Sequence, residues 1–144
     1  RSRGLGDVYK RQAGNYGPRQ GTITIPGTSR KVITAGALAE EKRGFYCSGE
    51  GPTEACVVKP DVLAPRCKII SCNGAWKKTG KFYTIKSGTS MAAPVVSGAM
   101  ALLLSKYPDM SNVEAKLKLR SSSRRVEAEM TQGWGLLQVE QLLE

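Results

Sequence analysis

Residues 86–104 read KSGTSMAAPVVSGAMALLL. A Gly-Thr-Ser step runs into small residues, a proline and a long uncharged stretch, which predicts a helix over 90–106 with one hydroxyl, Ser90, at its mouth. The helix is apolar on every side, so it belongs inside a domain rather than on its surface. Ala92, Ala93, Ser97, Gly98 and Ala99 let neighbouring elements pack closely. Pro94 falls near the start, where a missing N–H costs little or bends the helix slightly.

A serine at a helix start most often caps free backbone N–H groups. The neighbours of Ser90 favour a second use. Gly88 permits a tight turn, Thr89 can hydrogen-bond the backbone of that turn, and Ala92 and Ala93 keep bulk away from the hydroxyl. A nucleophile held there would face a cleft at the positive end of the helix, where dipole and N–H groups stabilise an oxyanion.

From Ala13 onward, short apolar runs alternate with Gly and Pro before the chain turns helical, the grammar of an α/β domain. Strands are expected at 22–25, 31–38, 68–71 and 82–85, with a further apolar run, DVLA, bracketed by Pro60 and Pro65. Residues 39–56 read as a surface connection, and NGAWKKTGK at 73–81 as a turn or loop. Beyond Pro108, Ser111 and Glu114 have capping-box spacing, with Met110 and Ala115 as a hydrophobic staple. Val113 and Leu117 are expected on the inner face of that helix, and a last helix is expected over 136–143.

The 144 residues suit one domain or part of one, and 40% hydrophobic with 24% charged residues is a globular balance. Residues 1–12, RSRGLGDVYKRQ, begin without methionine, show no clear period and read as an adaptor or cloning remnant. Removing their four basic residues and one aspartate lowers the formal charge from +10 to +7. Much of the remainder lies in KLKLRSSSRR at 116–125, which with no interleaved aromatic reads as a solvated helix face rather than a nucleic-acid site. Ser97 and Gly98 interrupt the longest apolar run, so no membrane segment is expected. Cys47, Cys56, Cys67 and Cys72 have neither zinc-finger spacing nor a histidine to help, which favours free or partly buried thiols and leaves disulfides open.

SGTSMAAP at 87–94 resembles the active-serine motif of the subtilisin-like serine proteases. AGN at 13–15 is similar to the family segment that carries the oxyanion-hole asparagine, KVITAGA to a following core strand, and KPDVLAP to the stretch before the active serine. The order of these segments resembles the C-terminal half of that catalytic domain, over residues 13–144. The resemblance implies a three-layer α/β fold with a mostly parallel sheet and a central buried helix starting at the serine. It makes Ser90 the nucleophile, with Asn15 in the oxyanion hole and Ala13 and Gly14 lining the substrate pocket. Gly88, Thr89, Met91, Ala92 and Pro94 complete the active-serine motif. It further implies peptide or protein substrates, a bacterial secreted or cell-associated setting, and calcium in some full-length members, although no acidic cluster here identifies a metal site. An Asn-Tyr-Gly-Pro turn is the plainer reading of Asn15.

Two departures stand out. Arg66 and Cys67 follow Ala64-Pro65 where the family usually has glycine, and the sequence contains no histidine. A serine needs a base to attack at neutral pH, and in this family the base is a histidine oriented by aspartate. The expectation is therefore a serine endopeptidase acting through an acyl-enzyme on Ser90, present as a piece without its Asp and His and inert alone. The alternatives are a non-catalytic binding relative and a sedolisin-like peptidase with a glutamate base; Asn15 argues against the last, where an aspartate takes the oxyanion role.

Overall fold

The computed structural model describes residues 10–16, 20–38, 48–126 and 133–144. Three parallel strands form the main sheet in the order β1 (Lys10–Gln12), β2 (Ile33–Leu38), β3 (Val62–Pro65). Beyond β3, the backbone at 135–137 continues the ladder: Leu63 N donates to Gly135 O at 2.8 Å and Leu137 N to Leu63 O at 2.9 Å. A separate antiparallel ribbon joins β4 (Ile69–Cys72) to β5 (Tyr83–Lys86), with the short helix α1 (Trp76–Thr79) in the connection. Three further helices follow: α2 (Thr89–Lys106), α3 (Asn112–Ser122) and α4 (Val139–Leu143). The expected α/β class, parallel sheet and central helix are all present.

The core is built by period. Ile33, Ala35 and Ala37 of β2, with Val62 and Ala64 of β3, recur every second residue and meet α2. From α2 come Ala92, Val96, Ala99, Met100 and Leu103, spaced three and four apart on one stripe. Each fully buried Val, Leu or Met side chain contributes about 1.5–3 kcal/mol of transfer free energy. The small residues of the two strands let the helix axis lie close to the sheet.

Burial of α2 is one-sided, against the expectation of burial all round. Pro94, Gly98, Ala101 and Leu102 lie on an exposed side, because no described element packs over it. The helix also has the 18 residues and mean hydropathy of 1.2 that a membrane crossing needs by length and composition, which the small residues at 97–98 concealed. Its buried stripe packs on the sheet as a core helix does.

Several local expectations need correction. Residues 22–25 form no strand; Thr22 N and Thr24 N instead donate to Glu50 O and Ala13 O, which ties them down as a hydrogen-bonded loop. Residues 48–51 are buried rather than on the surface, because a Cβ at Gly49 would lie 2.4 Å from Ala13 O and only glycine lets the two backbones meet. Residues 52–56 of the same connection are mostly exposed as expected, and 39–47, with Cys47, fall outside the described residues. On α3 the inner face is Ala115, Leu119 and Ser122, whereas Val113 and Leu117 are exposed. The staple at Met110 and Ala115 sets that rotation, since both pack on the core and place Leu119 one turn further along the same face. The capping box forms as expected: Glu114 N donates to Ser111 Oγ at 3.2 Å and Ser111 N to Glu114 Oε2 at 2.8 Å. The last helix begins at Val139, because Leu136 and Leu137 are held extended by Arg124 and Leu63.

The boundary expected after residue 12 does not coincide with the sheet, since Lys10–Gln12 pair in parallel with Ile33–Ala35. Strand pairing uses backbone groups alone, so a stretch of unusual composition can still join a ladder.

Candidate active site

Ser90 is the second residue of α2 and is exposed at its N-terminus. The helix is capped by Gly88, whose φ of 138° favours glycine, and no side chain caps the first turn. The hydroxyl of Ser90 is therefore not engaged in capping. It donates to Gln12 Oε1 at 2.8 Å, while in the first turn of α2 the Met91 N–H donates to Gly88 O at 2.9 Å. No acidic residue occupies that turn, so the helix end keeps its positive character.

The turn before Ser90 is tied to the end of β3. Gly88 N donates to Arg66 O at 3.1 Å, and Lys68 N donates to Ser87 Oγ at 3.0 Å. The resemblance implies glycine after Pro65, but the positive φ of this turn falls at Lys68, at 50°. The carbonyl of Arg66 thus fixes the approach to the serine without a glycine at 66.

Thr89 is fully buried and has a different partner from the expected turn backbone. Its Oγ1 lies 2.7 Å from Asn15 Oδ1 and 3.5 Å from Gln12 Oε1. One hydroxyl proton serves one acceptor, and the shorter contact is the bond. With its oxygen held by Thr89, the amide of Asn15 presents its NH2 group, a neutral donor suited to developing negative charge.

Ala13 and Gly14 are buried just before Asn15 and are held from three directions. Ala13 N donates to Ala35 O at 2.9 Å, Thr24 N to Ala13 O at 3.2 Å, and Gly49 N to Gly14 O at 2.9 Å. These bonds, rather than an isolated turn, position Asn15 beside the start of α2. Of the remaining motif residues, Ala92 is fully buried in the core, so its small side chain serves packing on the sheet rather than clearance around Ser90. Met91 is half-buried and Pro94 is exposed on the open side of α2.

Sequence reasoning missed two features. Gln12 was set aside with the opening residues, yet it touches Ser90. Lys59 and Asp61 form a buried pair at 2.5 Å at the N-terminal ends of β2 and β3; Lys59 Nζ also donates to Val32 O at 3.0 Å, and Asp61 Oδ2 accepts from Thr34 N at 2.7 Å. Burial pushes the Lys59 ammonium below its usual 10.5, an effect that Asp61 opposes. The signal was available in KPD, where positions i and i+2 of an extended segment share a side. Among the described residues, no three His, Cys, Asp or Glu side chains gather. The described cysteines Cys56, Cys67 and Cys72 are unbridged.

Comparison with known proteins bears on the family and the fold. The model of the subtilase family matches residues 6–135. The serine protease AprX of Bacillus subtilis is 38% identical over 127 residues, covering 77% of this chain and 29% of AprX. Subtilisin DY of Bacillus licheniformis is 34% identical over 137 residues, covering 94% of this chain and 46% of its own length. Among solved structures, the CspB protease of Clostridium perfringens superposes with a TM-score of 0.71 at 28% identity, covering 86% of this chain and 28% of that one. The chain thus spans less than half the length of these relatives. With its parallel sheet, its central helix opening at Ser90 and a family match across most of its length, the chain belongs to the subtilase family of serine peptidases.

Proposed function

We propose that this chain supplies the nucleophile and the oxyanion-binding half of a serine endopeptidase site. Ser90 Oγ attacks the carbonyl carbon of a peptide bond, and the Ser90 N–H with the Asn15 amide receives the negative charge that forms on the carbonyl oxygen. Collapse of that intermediate expels the amine and leaves an acyl-enzyme on Ser90, which water hydrolyses. The observation that carries this reading is the Thr89 to Asn15 bond, which leaves the amide NH2 free to donate at the end of α2.

The base has to come from elsewhere. Gln12 accepts a hydrogen bond from Ser90, but a neutral amide oxygen does not take up a proton at neutral pH, and the sequence has no histidine. We place the base and its orienting aspartate in a part of the enzyme outside this span, so the 144 residues alone do not turn over. Substrates are peptides or proteins, and the setting is bacterial, as the Bacillus relatives support, with the enzyme secreted or cell-associated on this reading. The subtilase match removes the ground for a sedolisin-type site. A non-catalytic binding relative is the second reading, favoured by the neutral partner of Ser90.

Casein hydrolysis distinguishes the two. The full reading frame that contains this chain in the source DNA should encode a protein that cleaves casein and loses this ability in Ser90→Ala. A folded product with no hydrolysis before or after the substitution would favour the binding relative.

A further inference from the structure

The β4–β5 ribbon presents an apolar face with nothing described packed over it. Ile70 pairs with Ile85 and Cys72 with Tyr83, and these alternate pairs share one side of the ribbon. Ile70, Tyr83 and Ile85 are each more than 60% exposed. At the tip, Trp76 stacks on Phe82 with ring centroids 5.6 Å apart, and Phe82 remains 66% exposed. The tip is built rather than loose: Asn73 Nδ2 donates to Thr79 Oγ1 at 2.9 Å and to Lys81 O at 2.8 Å, and Asn73 Oδ1 accepts from Ala75 N at 3.0 Å.

Charge around this face has one sign. Lys68, Lys77, Lys78, Lys81 and Lys86 are all exposed, and no Asp or Glu occurs between residues 62 and 108. Exposed Trp, Tyr, Phe and Ile side chains ringed by lysines suit an anionic lipid surface. The aromatic rings settle at headgroup depth, the aliphatic side chains enter the acyl boundary, and lysine stems reach out to phosphate. A nucleic acid would use the lysines and rings but has no place for the Ile70–Ile85 pair, and an acidic protein surface has little that is apolar to offer it.

We propose that the ribbon docks on bilayers rich in anionic lipid, with the Trp76–Phe82 tip inserted. Its other end runs through Ser87 to Ser90, so a strand of roughly 13 Å separates the tip from the approach to the serine. Docking thereby keeps the Ser90 end of α2 close to the membrane surface.

The test is cosedimentation of the full 144-residue chain with vesicles of 30% phosphatidylglycerol in phosphatidylcholine, against pure phosphatidylcholine. Binding is expected only to the anionic vesicles. Lys77→Gln/Lys78→Gln/Lys81→Gln should weaken it roughly 100-fold, about fivefold per lysine. Trp76→Ser/Phe82→Ser should weaken it at least tenfold with all charges kept. Lys118→Gln/Arg120→Gln/Arg125→Gln, an equal loss of charge on and after α3, should stay within about threefold of the parent. Absence of binding by the parent chain, equal losses in the two charge variants, or indifference to the aromatic substitutions would overturn the proposal. So would self-association through the ribbon that depends on Trp76 and Phe82 and excludes vesicles, or equally tight binding to heparin that survives the aromatic substitutions.

Discussion

The Thr89 hydroxyl donates to Asn15 Oδ1 at 2.7 Å, joining residues 74 positions apart at the mouth of one helix. Thr89 is buried and Asn15 exposed, so the buried side chain aims the exposed one. On the proposed reading, Asn15→Leu in the full enzyme should cost about 10²–10³ in kcat, the cost of one oxyanion-hole donor, for which a subtilisin is the reference case. Thr89→Val removes only the aiming bond and should cost about tenfold in kcat. KM for a short peptide should stay within about twofold in both variants; a loss confined to KM would mean that Asn15 binds the ground state instead.

The buried pair at 59 and 61 should behave asymmetrically. Asp61→Ala leaves the Lys59 ammonium buried beside a single carbonyl and should lower stability by about 3–5 kcal/mol. Lys59→Met/Asp61→Asn removes the charge yet keeps an acceptor for Thr34 N, and should be the more stable of the two in urea unfolding.

That pair also sets a pH slope. Burial places the folded Lys59 value below its usual 10.5, so between the two values the unfolded chain binds more protons than the folded one. This contribution makes stability rise with pH through that window, and Lys59→Met should abolish the rise. A slope unchanged in Lys59→Met would assign it to another group.

On α3, Leu119→Ala should cost about 2–5 kcal/mol, as a fully buried leucine does. Leu117→Ala, on the exposed side, should stay within about 0.5 kcal/mol. Equal costs would restore the inner face read from the sequence.

The Ser111 cap holds the Glu114 carboxyl below its usual 4.5 through side-chain and backbone hydrogen bonds. The stabilisation it brings is complete above 4.5 and is lost as pH falls through the lowered folded value. Carbon-detected NMR titration should show that midpoint moving up toward 4.5 in Ser111→Ala.

What the sequence made legible followed from local chemistry. The Gly88-Thr89-Ser90 step, the buried strand before Leu38, and the capping box at Ser111 are each written in neighbouring residues, and all three are in the structure. What it hid depends on distant contacts. Val113 and Leu117 have helical spacing, but the rotation of α3 is set by Met110, Ala115 and Leu119 packing on the core. Residues 48–51 read as a polar connection because their burial comes from backbone bonds to Thr22 and Gly14, which no side-chain pattern reports. The partnership of Thr89 with Asn15 was hidden for the same reason, since each residue alone fits an ordinary turn.

On the proposed reading, Ser90 is the attacking nucleophile. The most direct measurement is fluorophosphonate labelling of the protein encoded by the full reading frame, with the modified residue located by tandem mass spectrometry. One phosphonylated residue, Ser90, is expected, with labelling and casein hydrolysis abolished together in Ser90→Ala, a substitution that costs about 10⁶ in turnover in the subtilisin reference case. Hydrolysis that persists in Ser90→Ala, or a label carried by another residue, would contradict it.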